Sequence, residues 1–100
     1  LNTHPLVQRD LNFVLPESLR WKELTDIISS LQEPLLLRVD YKETYRDAKR
    51  DGADKKRVLI GLALQSESQT LTTEMTDQAV QRIVSAVESK SGGKLLGAGA

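Results

Sequence analysis

The side chains able to do chemistry in this 100-residue chain are few, and their spacing does not suit catalysis. Serines are numerous, but a Ser-His-Asp arrangement would have to recruit the single histidine, His4, from beside the N-terminus. One histidine and no cysteine cannot build a zinc site, and no disulfide can form. Asp47, Asp51 and Asp54 lie among cations, without the ligand spacing that a calcium loop requires. Gly92-Gly93 follows a helical pattern instead of preceding one, so it is not a phosphate-cradling loop. No catalytic residue and no metal ligand is expected, and the chemistry left is that of binding. Two features suit it. Residues 46–57 hold six basic and three acidic side chains, the one clear positive bias of the chain, which also reads as a solvated hairpin tip. Gly61 and Ala63 put small residues on one face of a strand, marking either close approach by a ligand or an inert shallow surface.

Composition narrows the class further. Lys plus Arg and Asp plus Glu number 14 each, so the whole chain is no electrostatic magnet for nucleic acid. One hundred residues make one domain with one core and little room for a buried enzyme cleft. No apolar run approaches the roughly 20 residues that span a bilayer, and no signal-peptide pattern is present. We therefore expect a protein of the reducing cytoplasm, without a membrane partner. The chain starts at Leu1, not Met, which leads us to expect a fragment of something longer.

The elements that must position these residues follow from periodicity. Leu11, Phe13 and Leu15 alternate as a half-buried strand does, placing Asp10, Asn12 and Val14 on the other face. Trp21, Leu24, Ile27, Ile28 and Leu31 recur at helical spacing, with Ser18 a candidate N-cap and Pro34 the stop. Residues 35–45 and 58–64 are extended. In the first of these, alternation buries Leu37, Val39 and Tyr41 and exposes Arg38, Asp40, Lys42 and Thr44. Gly52 is the most turn-permissive residue of the loop between them. Val80, Ile83, Val84 and Val87 form a second helical stripe, capped by Thr72 or Thr73 and ended by Gly92-Gly93. Lys94 to Leu96 forms a short last strand. In order this is β-α-β-β-α-β, an α+β, ferredoxin-like domain with a four-stranded antiparallel sheet and two helices on one face. We place the domain at residues 1–97 and a frayed tail at 98–100.

Four segments, in order, carry a resemblance to a known family. Residues 4–17, HPLVQRDLNFVLPE, open with a Pro-led Arg-Asp-apolar strand. Residues 39–45 form a valine-to-tyrosine strand, residues 55–65 a Lys-Lys-led third strand, and Thr70-Leu71-Thr72 a helix start. Together they resemble the C-terminal anticodon-binding domain of bacterial phenylalanyl-tRNA synthetase beta subunits, over nearly the whole chain. His4 stands where the family has an aromatic, Lys42-Glu43 where it has an aromatic-Asp pair, and Leu95-Leu96 where it commonly has Leu-Arg.

The resemblance implies an RNA-recognition appendage that binds phenylalanine tRNA through its anticodon stem-loop and has no catalytic residue of its own. The parent enzyme would be an ATP- and Mg-dependent ligase, a heterotetramer whose alpha subunit carries the aminoacylation site. Unstacked anticodon bases can be stacked on an aromatic and read at their edges. Tyr45 matches the family's strand-end tyrosine and is the stacking candidate. Simple alternation turns it toward the core, whereas a bulge near Lys42-Glu43 would turn it outward. Arg9 and Arg57 are candidates for phosphate or base-edge contact, and Asn12 for donating to and accepting from a base. Gly61 and Ala63 would leave room for the flat base. The alternative is a structural or protein-docking domain of the same fold that binds no RNA, with exposed apolar surface around Leu59 and Leu96.

Overall fold

The computed structural model describes residues 3–99. Strand β1 (Val7–Pro16) forms where the alternation predicts, with Leu11, Phe13 and Leu15 all but sealed from solvent. It pairs with β3 (Lys55–Leu64) in an unbroken antiparallel register, from Val7 opposite Leu64 to Pro16 opposite Lys55. Facing residues of such a pair share a sheet face. Val58, Ile60, Leu62 and Leu64 therefore join the core, while Arg57, Leu59, Gly61 and Ala63 line the opposite side. Strands β2 (Leu36–Tyr45) and β4 (Lys94–Gly99) flank this pair, giving the order β2-β3-β1-β4.

Helices α1 (Trp21–Leu31) and α3 (Thr73–Ser91) lie on the core face. Leu24 and Ile28 of α1 meet Ala79, Ile83, Val84 and Val87 of α3 over β1 and β3. A third helix, α2 (Ala48–Asp51), is a single turn inside the β2–β3 connection. The sequence predicts only a loop here, because four residues carry no helical stripe. Asp47 makes the turn by accepting from the Arg50 N–H at 3.2 Å, and Gly52 closes it at φ +97°.

Two termini match the expected caps. The Thr72 hydroxyl accepts from the Met75 N–H at 3.1 Å, and Gly92 ends α3 in the left-handed region at φ +74°. Gly93 serves a different need. A Cβ there would stand 2.8 Å from the Val14 carbonyl oxygen, so only glycine lets the chain pass this close to β1. The start of α1 differs from expectation. Ser18 sits in a turn closed by the Leu19 N–H on the Pro16 carbonyl at 3.0 Å. The cap position falls to Arg20, whose N–H donates to the Glu23 carboxylate at 3.0 Å. At the far end of α1 the Glu33 side chain is buried, accepts from the Leu35 N–H at 3.1 Å and pairs with Arg82 of α3. The Arg82 guanidinium holds its carboxyl below the usual carboxylate range.

Three expectations about the strands need correction. Leu37 and Tyr41 are not buried: they are 58% and 52% exposed. The register shift at Leu36/Arg38 leaves Leu37 as an extra residue outside the pairing, whereas Tyr41 keeps its core-side parity but lies on the edge strand, where its ring meets the exposed Trp21 edge-on. The end of the chain does not fray at Ala98, which pairs with Leu11, or at Gly99, which pairs with Asp10. Small residues give no periodic pattern, yet their backbone still joins the ladder. Ala100 lies outside the described residues. Among those residues, no helix is long and apolar enough to cross a membrane.

Candidate nucleic-acid interface

With α1 and α3 packed on the core side of the sheet, its other face presents the alternate side chains of the strands. The cross-strand register orders them in rows. Tyr45, Arg57, Val14 and Lys94 make one row, and Glu43, Leu59, Asn12 and Gly97 the next. Asp40, Gly61, Asp10 and Gly99 make the third. This arrangement depends on the extra residue Lys42. Tyr41 faces Ile60 on the core side, and Glu43 faces Leu59 on the open side, with Lys42 between them and unpaired. The bulge reverses parity, so Tyr45 points away from the core and is 55% exposed.

The turned tyrosine borders a shallow cleft of about 130 Å³, lined by Asn12, Glu43, Tyr45, Arg57 and Leu59. Arg57 forms its charged wall but is not a free cation. Its Nε and Nη2 donate to the two carboxylate oxygens of Asp51 at 2.7 and 2.8 Å, with both side chains largely buried. This forked pair holds the Asp51 carboxyl below the usual carboxylate range and raises Arg57 further above neutrality. The single turn of α2 thus delivers Asp51 to Arg57. Arg46 pairs with Glu17 and ties the end of β2 to the end of β1. Glu43 has no hydrogen-bond or ion-pair partner among the described residues, so its carboxylate is the unbalanced charge of the cleft.

The structure brings Asn12, Tyr45 and Arg57 together around one cleft. It does not bring in the other three candidates. Arg9 stands opposite Leu62, on the parity of the core-facing residues, and donates to the Gln8 carbonyl at 3.0 Å. Gly61 and Ala63 are buried, and the space above Gly61 is taken. Lys42 lies across it, its Nζ 2.9 Å from the Asp10 carboxylate and its Cε 2.9 Å from where a Gly61 Cβ would be. These small residues seat an ion pair, not an open floor for a base. A separate hollow runs beside them, lined by Gln8, Asp10, Asp40 and Lys42 as well. Glu43 was missed as a site residue. The pattern did mark it, as the one odd-numbered position of residues 35–45 that is not apolar.

An antiparallel sheet backed by two helices, whose other face holds an exposed aromatic among hydrogen-bonding groups, defines a ferredoxin-like platform domain. Residues 2–96 match the family described as "Ferredoxin-fold anticodon binding domain", and the chain belongs to that family. Among curated proteins it is similar to the phenylalanine--tRNA ligase beta subunit of Rhodopirellula baltica, at 41% identity over 90 residues, covering 90% of this chain and 13% of that protein. The beta subunit of Bacteroides fragilis is 33% identical over 95 residues, covering 95% of this chain and 12% of its own length. That of Methylococcus capsulatus gives the same identity and coverage. The chain thus spans about 12–13% of the length of these relatives.

Proposed function

We propose that the chain is the tRNA anticodon-binding domain of a phenylalanine--tRNA ligase beta subunit. In this role it positions phenylalanine tRNA for aminoacylation carried out elsewhere in the enzyme, in the cytoplasm, with an alpha subunit as the parent's partner. The ATP and Mg²⁺ that such ligases generally use serve the parent's reaction. No three His, Asp or Glu side chains converge as a metal site among the described residues, and no step through Mg²⁺ is assigned to them. The observation that carries the reading is the bulge at Lys42, which turns Tyr45 out beside Glu43 and Asn12.

The chemistry follows from the cleft. A base flipped from the anticodon loop stacks on the Tyr45 ring, an interaction worth about 1–3 kcal/mol. The Glu43 carboxylate only accepts hydrogen bonds, so it favours a base edge with adjacent donors, as guanine has at N1 and its exocyclic amine. Asn12 both donates and accepts. Arg57, balanced by Asp51, supports the floor without drawing phosphate into the cleft. The docking alternative calls for exposed apolar surface around Leu59 and Leu96; Leu96 is exposed, but Leu59 is half-buried and lines the Tyr45 cleft.

A labelled anticodon stem-loop titrated into the chain tests this reading. Binding should be detectable, and replacing the read guanine by adenine should weaken it by about 10- to 100-fold, the worth of hydrogen bonds to a charged group. Glu43→Gln should remove most of that discrimination. Absence of binding at millimolar RNA would overturn the assignment.

A further inference from the structure

The charges of the open face are distributed unevenly along the strands. At the end bearing Ala63, Gly61 and Gln8, each cation has its own carboxylate. Arg38 pairs with Asp40 at 3.0 Å, and Lys42 with Asp10 at 2.9 Å. The opposite end, beyond Tyr45, is different. Lys55 stands opposite Pro16 and Lys94 opposite Val14, both on the open-face parity, and neither has an ion-pair partner among the described residues. Lys49 and Arg50 on α2 add two exposed side chains at this end, also without ion pairs. The acids nearby are mostly engaged. Asp51 is held by Arg57, Glu17 by Arg46, and the Asp47 side chain caps the Arg50 N–H, which leaves Asp54 in the same turn.

We infer that the α2 end of the open face, with Lys55 and Lys94 on the sheet and Lys49 and Arg50 beside it, is a binding site for the RNA sugar-phosphate backbone. The stem of the hairpin then lies over this end, and the paired-charge end is left clear of phosphate. The inference rests on the reading of the Tyr45 cleft as the base site and adds the direction from which RNA reaches it. The physical reason is a separation of tasks. A cleft whose one unbalanced charge is the Glu43 carboxylate repels phosphate, so the backbone must be held by cations outside it. The chain is neutral overall, so attraction has to come from a local surplus, and the unpaired lysines on this face supply it.

Salt dependence tests the inference separately from base recognition. For a duplex stem each neutralised phosphate contributes about 0.9 to the slope of log K against log salt. A Lys55→Gln/Lys94→Gln double variant of the full chain, titrated with the anticodon stem-loop over a salt series, should lose about 1.8 of that slope. Its guanine-over-adenine preference should be unchanged. An Arg38→Gln variant at the other end should keep the wild-type slope. Thermal melts establish that both variants are folded, and Lys49→Gln/Arg50→Gln gives a second test at exposed positions. An unchanged slope in both α2-end variants, or an equal fall in the far-end variant, would overturn the inference while leaving the base cleft intact. Failure of the wild type to bind the stem-loop would overturn the cleft reading and this inference together.

Discussion

Replacing Tyr45 by alanine should weaken binding of the anticodon stem-loop roughly 5- to 150-fold, equivalent to losing about 1–3 kcal/mol of base stacking. Tyr45→Phe should retain most of the affinity, because the ring and not the hydroxyl makes the platform. Neither substitution should move the melting temperature appreciably. The Tyr45 side chain is 55% exposed and outside the core, and surface changes of this kind fall within about 0.5 kcal/mol. Parallel titrations and melts of the two variants check the claim. An alanine variant that binds like wild type would remove Tyr45 from the site.

Phe13→Ala should have the largest effect on folding. Phe13 is fully buried in β1, which pairs on both sides, with β3 and β4. Truncating it removes buried apolar surface and opens a cavity beneath both helices, at a cost of about 3–5 kcal/mol. A domain of this size has about 5–15 kcal/mol in total, so the loss is a large share. At about 4–8 °C per kcal/mol, the midpoint should fall by roughly 12 °C or more. Calorimetry on wild type and variant reads this directly, and a shift of only a few degrees would mean that the core collapses around the gap. RNA affinity well below the variant's midpoint should change little, since Phe13 points away from the open face.

Where the chemistry is strictly local, the sequence was a sufficient guide. Leu11, Phe13 and Leu15 had to share a face because a strand repeats every two residues, and Thr72 and Gly92 carry the side-chain and backbone properties that caps need. The same alternation already placed Arg9 with Leu11 on the core-facing parity, so its exclusion from the open face was legible too. Strand β2 was not. Leu35, Leu36 and Leu37 are alike in hydrophobicity, and nothing in their types reveals which one is extra. The decisive insertion is Lys42, a residue that fits either face of a regular strand. Its position is fixed by pairing with β3, a tertiary fact, and through it so is the face on which Tyr45 lies. The Asp51–Arg57 pair was hidden for a related reason. It exists because Asp47 and Gly52 bend a short connection into one helical turn, and that turn is too brief to leave a periodic trace. Lys42 across Gly61 shows the reverse case, in which small residues accommodate a neighbour of the same sheet and not a ligand.

The central claim is that the bulged second strand presents Tyr45, Glu43 and Asn12 together as a base-binding surface on the face opposite the helices. Intermolecular nuclear Overhauser contacts between the isotope-labelled chain and the anticodon stem-loop address it most directly. The account predicts contacts from loop bases to the Tyr45 ring and to Leu59, with amide shifts at Asn12 and Glu43. Contacts confined to the exposed sides of α1 and α3, with the Tyr45 ring unperturbed, would contradict it.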